Sequence, residues 1–168
     1  EVTSGVPGTD ESFFGVAVAK DGVTWAVGST AKNGATCNHD FWLARYDSGG
    51  KLLGELQSSV GGGCDNLRDI AMTQDGGAVA VGDSLQGTNV GYDAWLFRLD
   101  ASGKKVWDKV IATPAHDGFF GIAMAPDGGF AVTLGTGVEG GNYVPSLVRY
   151  GPNGDLLWQK AYDFDPAD

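Results

Sequence analysis

The stretch that decides the fold is residues 67–107, LRDIAMTQDGGAVAVGDSLQGTNVGYDAWLFRLDASGKKVW. Two turns punctuate it, Asp75-Gly76-Gly77 and Asp100-Ala101-Ser102-Gly103. Asp in such a turn caps backbone N–H groups, and Gly supplies the positive φ that other residues resist. Between and around the turns, four short segments rich in β-branched and aromatic residues read as strands: Leu67–Thr73, Ala78–Asp83, Tyr92–Leu99 and Lys104–Ile111.

Working outward, the same sentence is written three times. Asp21-Gly22 precedes Asp75-Gly76-Gly77 by 54 residues, and Asp127-Gly128-Gly129 follows it by 52. Arg45, Arg98 and Arg149 fall at matching positions, as do Gly54, Trp107 and Trp158. Phe119-Phe120-Gly121 echoes Phe13-Phe14-Gly15. The repeats run over residues 9–60, 61–113 and 114–163 of a chain read as a single domain, 1–168. In the first repeat the strands are Phe13–Ala19, Val23–Gly28, Phe41–Tyr46 and Lys51–Leu56. In the third, Val144-Pro145-Ser146 replaces Tyr-Asp-Ala-Trp. Proline lacks the ladder donor, so that strand is expected to begin late or unpaired. Helical spacing of apolar residues is absent throughout.

Four strands per unit of about 52 residues, with tight turns alternating with longer connections, predict an all-β protein built of β-propeller blades. In antiparallel blades the connections alternate between two faces. The Asp-Gly turns share one face. The long connections (29–38, 84–91 and 135–142 within blades, 58–65 and 112–117 between them) share the other. A propeller closes with about four to eight blades. Three blades therefore require another chain, or a further segment, to complete the ring. A compact threefold β fold is the structural alternative.

A resemblance follows from these residues. The pattern Asp75-Gly76-Gly77, then Val81-Gly82-Asp83, then Tyr92-Asp93-Ala94-Trp95-Leu96-Phe97-Arg98-Leu99 resembles the delta-60 class of bacterial propeller repeats. The run from Leu99-Asp100 through Gly103 to Trp107 resembles the tryptophan-docking motif of quinoprotein dehydrogenase propellers. The likeness covers residues 9–162 and implies fold rather than activity, because these motifs are structural. Gly54 stands where the first blade's tryptophan belongs, so a docking contact is expected to be missing there.

Composition narrows the function. Glycine, at 28 of 168 residues, is about twice as common as usual and sits where the strand pattern breaks. A net charge of −10 argues against nucleic acid and anionic membrane surfaces, which call for clustered Lys and Arg. No apolar run reaches the roughly 18 residues of a transmembrane helix. The chain opens at Glu1 without a methionine or an apolar leader, as a processed or excised segment would. Cys37 and Cys64, the two cysteines, both fall on the long-loop face. One disulfide is permitted, and an exported, oxidising compartment (secreted, periplasmic or cell surface) is expected.

Several residue sets could carry chemistry. Asp21, Asp75 and Asp127 lack the alternating oxygens of a calcium loop and read as structural turn caps. The three arginines could hold a carboxylate, as in sialidase propellers. Their periodicity instead points to a repeated structural role, such as pairing with Asp47 and Asp100 or packing on a neighbouring blade. Trp25, Trp42, Trp95, Trp107 and Trp158 read as inter-sheet packing rather than a sugar platform, Trp42 and Trp95 being the two that could serve either role. No nucleophile triad, metal-ligand spacing or phosphate loop is found, so no catalytic residue, metal or cofactor is assigned.

The expected function is an exported, non-catalytic binding or assembly module. Its long-loop face carries His39, Asp40, Asp93, His116 and Asp117, because loops on a rigid scaffold carry recognition. The expected partner is another protein chain, or a homo-oligomer completing the ring. The alternatives are part of a sialidase-like or quinoprotein-like propeller enzyme, and a structural subunit of an envelope or filament assembly.

Overall fold

The structure is a computed structural model that describes residues 9–32, 39–58, 63–85, 91–138 and 142–162. All regular structure among them is β. Twelve strands form three antiparallel four-stranded sheets, each an up-and-down meander in chain order. The first blade contains β1 (Thr9–Val18), β2 (Thr24–Lys32), β3 (His39–Tyr46) and β4 (Leu52–Ser58). The second contains β5 (Asp65–Met72), β6 (Ala78–Ser84), β7 (Asp93–Leu99) and β8 (Lys105–Ile111). The third contains β9 (Asp117–Met124), β10 (Phe130–Gly137), β11 (Tyr143–Tyr150) and β12 (Leu156–Ala161). These are the three blade repeats expected from the sequence, and the ring they begin is open.

The turns are built as the sequence requires. Six glycines (Gly22, Gly50, Gly76, Gly103, Gly128 and Gly154) have φ between 77° and 89°. Each closes a hairpin on the same face, and in every turn but that of Gly154, which follows Asn153, the aspartate before the glycine receives backbone N–H groups. Asp47 accepts from Gly49 and Lys51, both at 2.9 Å, and Asp100 accepts from Ser102 at 2.9 Å and Lys104 at 3.0 Å.

The first strand of each blade is innermost, with β1 against β5 and β5 against β9. Two apolar layers join the blades. Between the first and second, Trp25, Val27, Phe41 and Leu43 meet Leu67, Ile70, Trp95 and Phe97. Between the second and third, Val79, Val81 and Leu96 meet Phe119, Phe130, Val132 and Tyr150. Alternation along the strands sends one set of side chains to the preceding blade and the other to the following one. Strands β6 and β7, covered on both faces, are therefore buried at every residue.

Three expectations change. Strands β2 and β10 run on to Lys32 and Gly137, so the loops after them are shorter than the sequence pattern indicates. Strand β11 starts on register, with Pro145 opposite Gly135, and only the missing proline donor marks the position. Trp25, Trp42 and Trp95 are buried and Trp107 is half-buried, but Trp158 is 42% exposed, with no blade among the described residues to cover it.

Candidate functional site on the long-loop face

Each innermost strand carries a β-bulge at the same place. The register slips between Phe13 and Gly15, between Leu67 and Asp69, and opposite Thr133–Leu134. The extra residues are Phe14, Arg68 and Phe120, and a bulge turns such a residue out of the ladder. Phe14 and Phe120 are about half exposed, and the Arg68 guanidinium lies over the Phe14 ring at 5.6 Å. Gly28 and Gly82, beside the first two bulges, admit the displaced backbone. A Cβ on either would overlap the carbonyl of Ser12 or Asn66.

The second blade departs from its own repeat at two positions that meet in space. Arg68 stands where the other blades have phenylalanine. Asp83 stands where they have Ser29 and Gly135. Arg68 Nε donates to Asp83 Oδ2 at 2.7 Å, and Asn66 Nδ2 donates to Asp83 Oδ1 at 3.0 Å. Asp83 is only 5% exposed, so the pair satisfies a buried charge.

Beside this pair a cleft of about 240 Å³ opens between the second and third blades, lined by Arg68, Asp83, Tyr92, His116, Asp117 and Phe120 among others. The inter-blade link is stitched down around it. Asp117 N donates to the Tyr92 carbonyl and Gly137 N to the His116 carbonyl, both at 2.6 Å. Tyr92 N donates to His116 Nδ1 at 3.2 Å. The two rings lie 5.7 Å apart. Burial raises the Tyr92 phenol above its ordinary value, with the Asp83 carboxylate adding to the rise and Arg68 opposing it. Asp117 is 2% exposed. Its Oδ2 accepts from Thr113 N at 2.8 Å, while its buried Oδ1 has no hydrogen-bond partner among the described residues.

Of the residues singled out in the sequence, His116 and Asp117 line this cleft. Asp93 is buried at the start of β7, next to Tyr92. His39 and Asp40 open β3 of the first blade and line no part of the cleft. Cys64 is buried immediately before β5, and no free thiol is found among the described residues. Cys37 lies outside them. Tyr92, Arg68, Asp83 and Phe120 were not singled out. The signal that could have found Arg68 and Asp83 is their departure from the repeat.

The short-turn face is organised differently. Arg98 and Arg149 do serve a repeated structural role, but their partners are not Asp47 and Asp100. Arg98 Nη2 lies 2.6 Å from both oxygens of Asp75, and Arg149 Nη2 lies 2.7 and 2.8 Å from those of Asp127. Asp75 and Asp127 thus cap their turns and receive an arginine as well. Asp21 accepts only from Val23 N at 3.1 Å among the described residues. Arg45 instead stacks on Trp25, 4.6 Å from the ring centre, and reaches across to the Ser102 carbonyl of the next blade. A larger cavity of about 600 Å³ lies here between the first two blades, and of the charged groups on its walls, Lys20, Asp21, Arg45 and Asp75, the last two are engaged with Ser102 and Arg98. The long-loop cleft is smaller but is the one lined by both departures from the repeat, Arg68 and Asp83, beside Tyr92 and His116, which makes it the better candidate.

No group of three or more His, Cys, Asp or Glu side chains among the described residues is placed to hold a metal ion. No helix among them is long and apolar enough to cross a membrane. No protein-family model matches the chain, and no curated protein matches it.

Proposed function

We propose that this chain is an exported, non-catalytic binding and assembly module that recognises its ligand on the long-loop face of a β-propeller and completes its ring with another chain. The observation that carries the reading is the cleft between the second and third blades. There Arg68 and Asp83 interrupt the repeat and stand beside Tyr92 and His116. A repeat broken at two touching positions on one face is the pattern expected where a scaffold has been adapted for recognition. The proposed Cys37–Cys64 disulfide would staple the first blade's loop to the link entering the second, and it fits an oxidising compartment. The delta-60 likeness belongs to the same reading.

The test is a titration followed by amide chemical shifts, using hexoses, uronic acids, amino acids and dicarboxylates as probes. Shifts centred on Tyr92, His116 and Phe120, lost in Arg68→Ala, are expected. Shifts confined to the cavity around Trp25 and Thr73, or none with any probe class at millimolar concentration, would overturn the reading.

A further inference from the structure

The contact between the second and third blades has a knob and a socket. The Trp107 ring sits over the turn of the next blade, so that a Cβ on Gly154 would meet it at 2.9 Å. Two residues on, Lys109 Nζ donates to the Gly154 carbonyl. Between the first and second blades the knob position is Gly54, and Arg45 occupies the Gly103 socket in its place. Both internal sockets are filled.

One knob and one socket are left over. Trp158-Gln159-Lys160 repeats Trp107-Asp108-Lys109 in sequence. Trp158 pairs with Arg149 in the ladder as Trp107 pairs with Arg98. Trp158 is exposed on the open side of the third blade. Gly50 (φ 82°) forms the same turn as Gly103 and Gly154 at the other end of the molecule, and a Cβ there would meet no atom within 4 Å.

The surrounding faces match in the same way. Leu67, Ile70 and Met72, like Phe119, Ile122 and Met124, pack against the preceding blade. Their counterparts in the first blade are Phe13, Val16 and Val18, which are 43%, 64% and 62% exposed. The open face of the third blade bears an apolar hollow of about 600 Å³ between Phe120, Leu147 and Tyr162.

We propose that a second copy of this chain docks head-to-tail on both open faces, with Trp158 of each copy seated on the Gly50 turn of the other. The contact continues the interface already formed between the second and third blades. It is heterologous and closes after two copies, giving six blades, within the range of about four to eight that a propeller needs. Lys160 would donate to the Gly50 carbonyl as Lys109 does to that of Gly154. This deepens the assembly half of the proposed function and rests on it.

The test is the mass of the 168-residue chain by light scattering over a concentration series, with Trp158→Ala and Val16→Asp. Both positions are exposed in the single chain, so circular dichroism should show an unchanged β-sheet spectrum in each variant. The expected result is twice 17.4 kDa for the wild-type chain, with each variant weakening the dimer at least tenfold. A chain that stays monomeric at every concentration overturns the proposal, and the open faces then belong to blades of another polypeptide or of a further segment. So does a dimer indifferent to both substitutions, or any stoichiometry other than two. The cleft is probed separately through Tyr92 and His116. A monomer that still shows ligand shifts there therefore overturns this contact alone.

Discussion

Arg98 joins the two hairpins of its blade: Nη2 lies 2.6 Å from both carboxylate oxygens of Asp75, while Nη1 donates to the carbonyls of Ala78 and Leu99. The arginine side chain is 11% exposed and the aspartate 70%, so the cation is the partner that the protein holds out of water. Gly77 makes room for it, since a Cβ there would collide with the guanidinium.

Arg98→Ala therefore leaves two carbonyls without their donor and is expected to cost about 2 kcal/mol. Asp75→Asn removes an exposed anion and should cost less than about 1 kcal/mol. Urea unfolding of the two variants checks the order. Equal losses would mean that the carboxylate, not the arginine's grip on the backbone, holds the turn.

Acid should weaken the fold through the turn aspartates. The Thr73 hydroxyl, the Gly77 amide and Arg98 hold Asp75 below the usual carboxylate range. The Ser102 hydroxyl and the Lys104 amide do so for Asp100, and the Gly129 amide with Arg149 for Asp127. A depressed folded-state value stabilises the protein above the unfolded value of about 3.9, and the contribution is lost as pH falls below it. Unfolding midpoints followed from pH 7 down to about 2.5 should decline mainly below about pH 4. The doubly substituted Asp75→Asn, Asp127→Asn protein should lose less over that range.

Gly82→Ala and Gly54→Ala should separate sharply although both lie in strands. A methyl group at Gly82 overlaps the Asn66 carbonyl beside the bulge, and a loss of about 3 kcal/mol is expected. At Gly54 it meets nothing within 4 Å and should be neutral or stabilising by about 0.5 kcal/mol. Denaturant midpoints decide this.

Arg45→Lys keeps the charge but loses the flat stacking on Trp25 and the fork that reaches Ser102. A loss of about 1 kcal/mol is expected. Faster amide exchange should appear at the turn around Gly103 and not at the turn around Gly154, which Trp107 covers instead.

Much of this architecture was legible because turn chemistry is local. Asp-Gly pairs and β-branched runs place most strand ends within two residues of where they fall, β6 and β8 among them. What was hidden depends on a partner strand. A bulge is a mismatch of count between two strands, so Phe14, Arg68 and Phe120 look like ordinary strand residues until β1, β5 and β9 are paired. The arginine partners were misjudged for a related reason. Asp100 follows Arg98 closely in the chain, but hairpin register brings the earlier turn at Asp75 under its guanidinium. The repeat made all five tryptophans look like packing residues, yet a repeat gives Trp158 the environment of Trp107 only if another blade follows. Of the candidate site, His116 and Asp117 were found from their place on the long-loop face. Tyr92 gave no signal, because an aromatic residue opening a strand is ordinary.

The complete burial of β6 and β7 has a consequence for how the molecule opens with time. Within a single chain each blade is made of neighbouring hairpins and touches only its neighbours, so unfolding of the lone chain can start at either end and advance one interface at a time. Opening the first or third blade breaks one interface, whereas opening the second breaks two. Amide protons should therefore exchange in a graded order, slowest in Ala78–Ser84 and Asp93–Leu99 and fastest in the outermost strands β4 and β12. The middle of the chain is its kinetic anchor, and the Arg68–Asp83 pair is fixed to the part of the molecule that opens last.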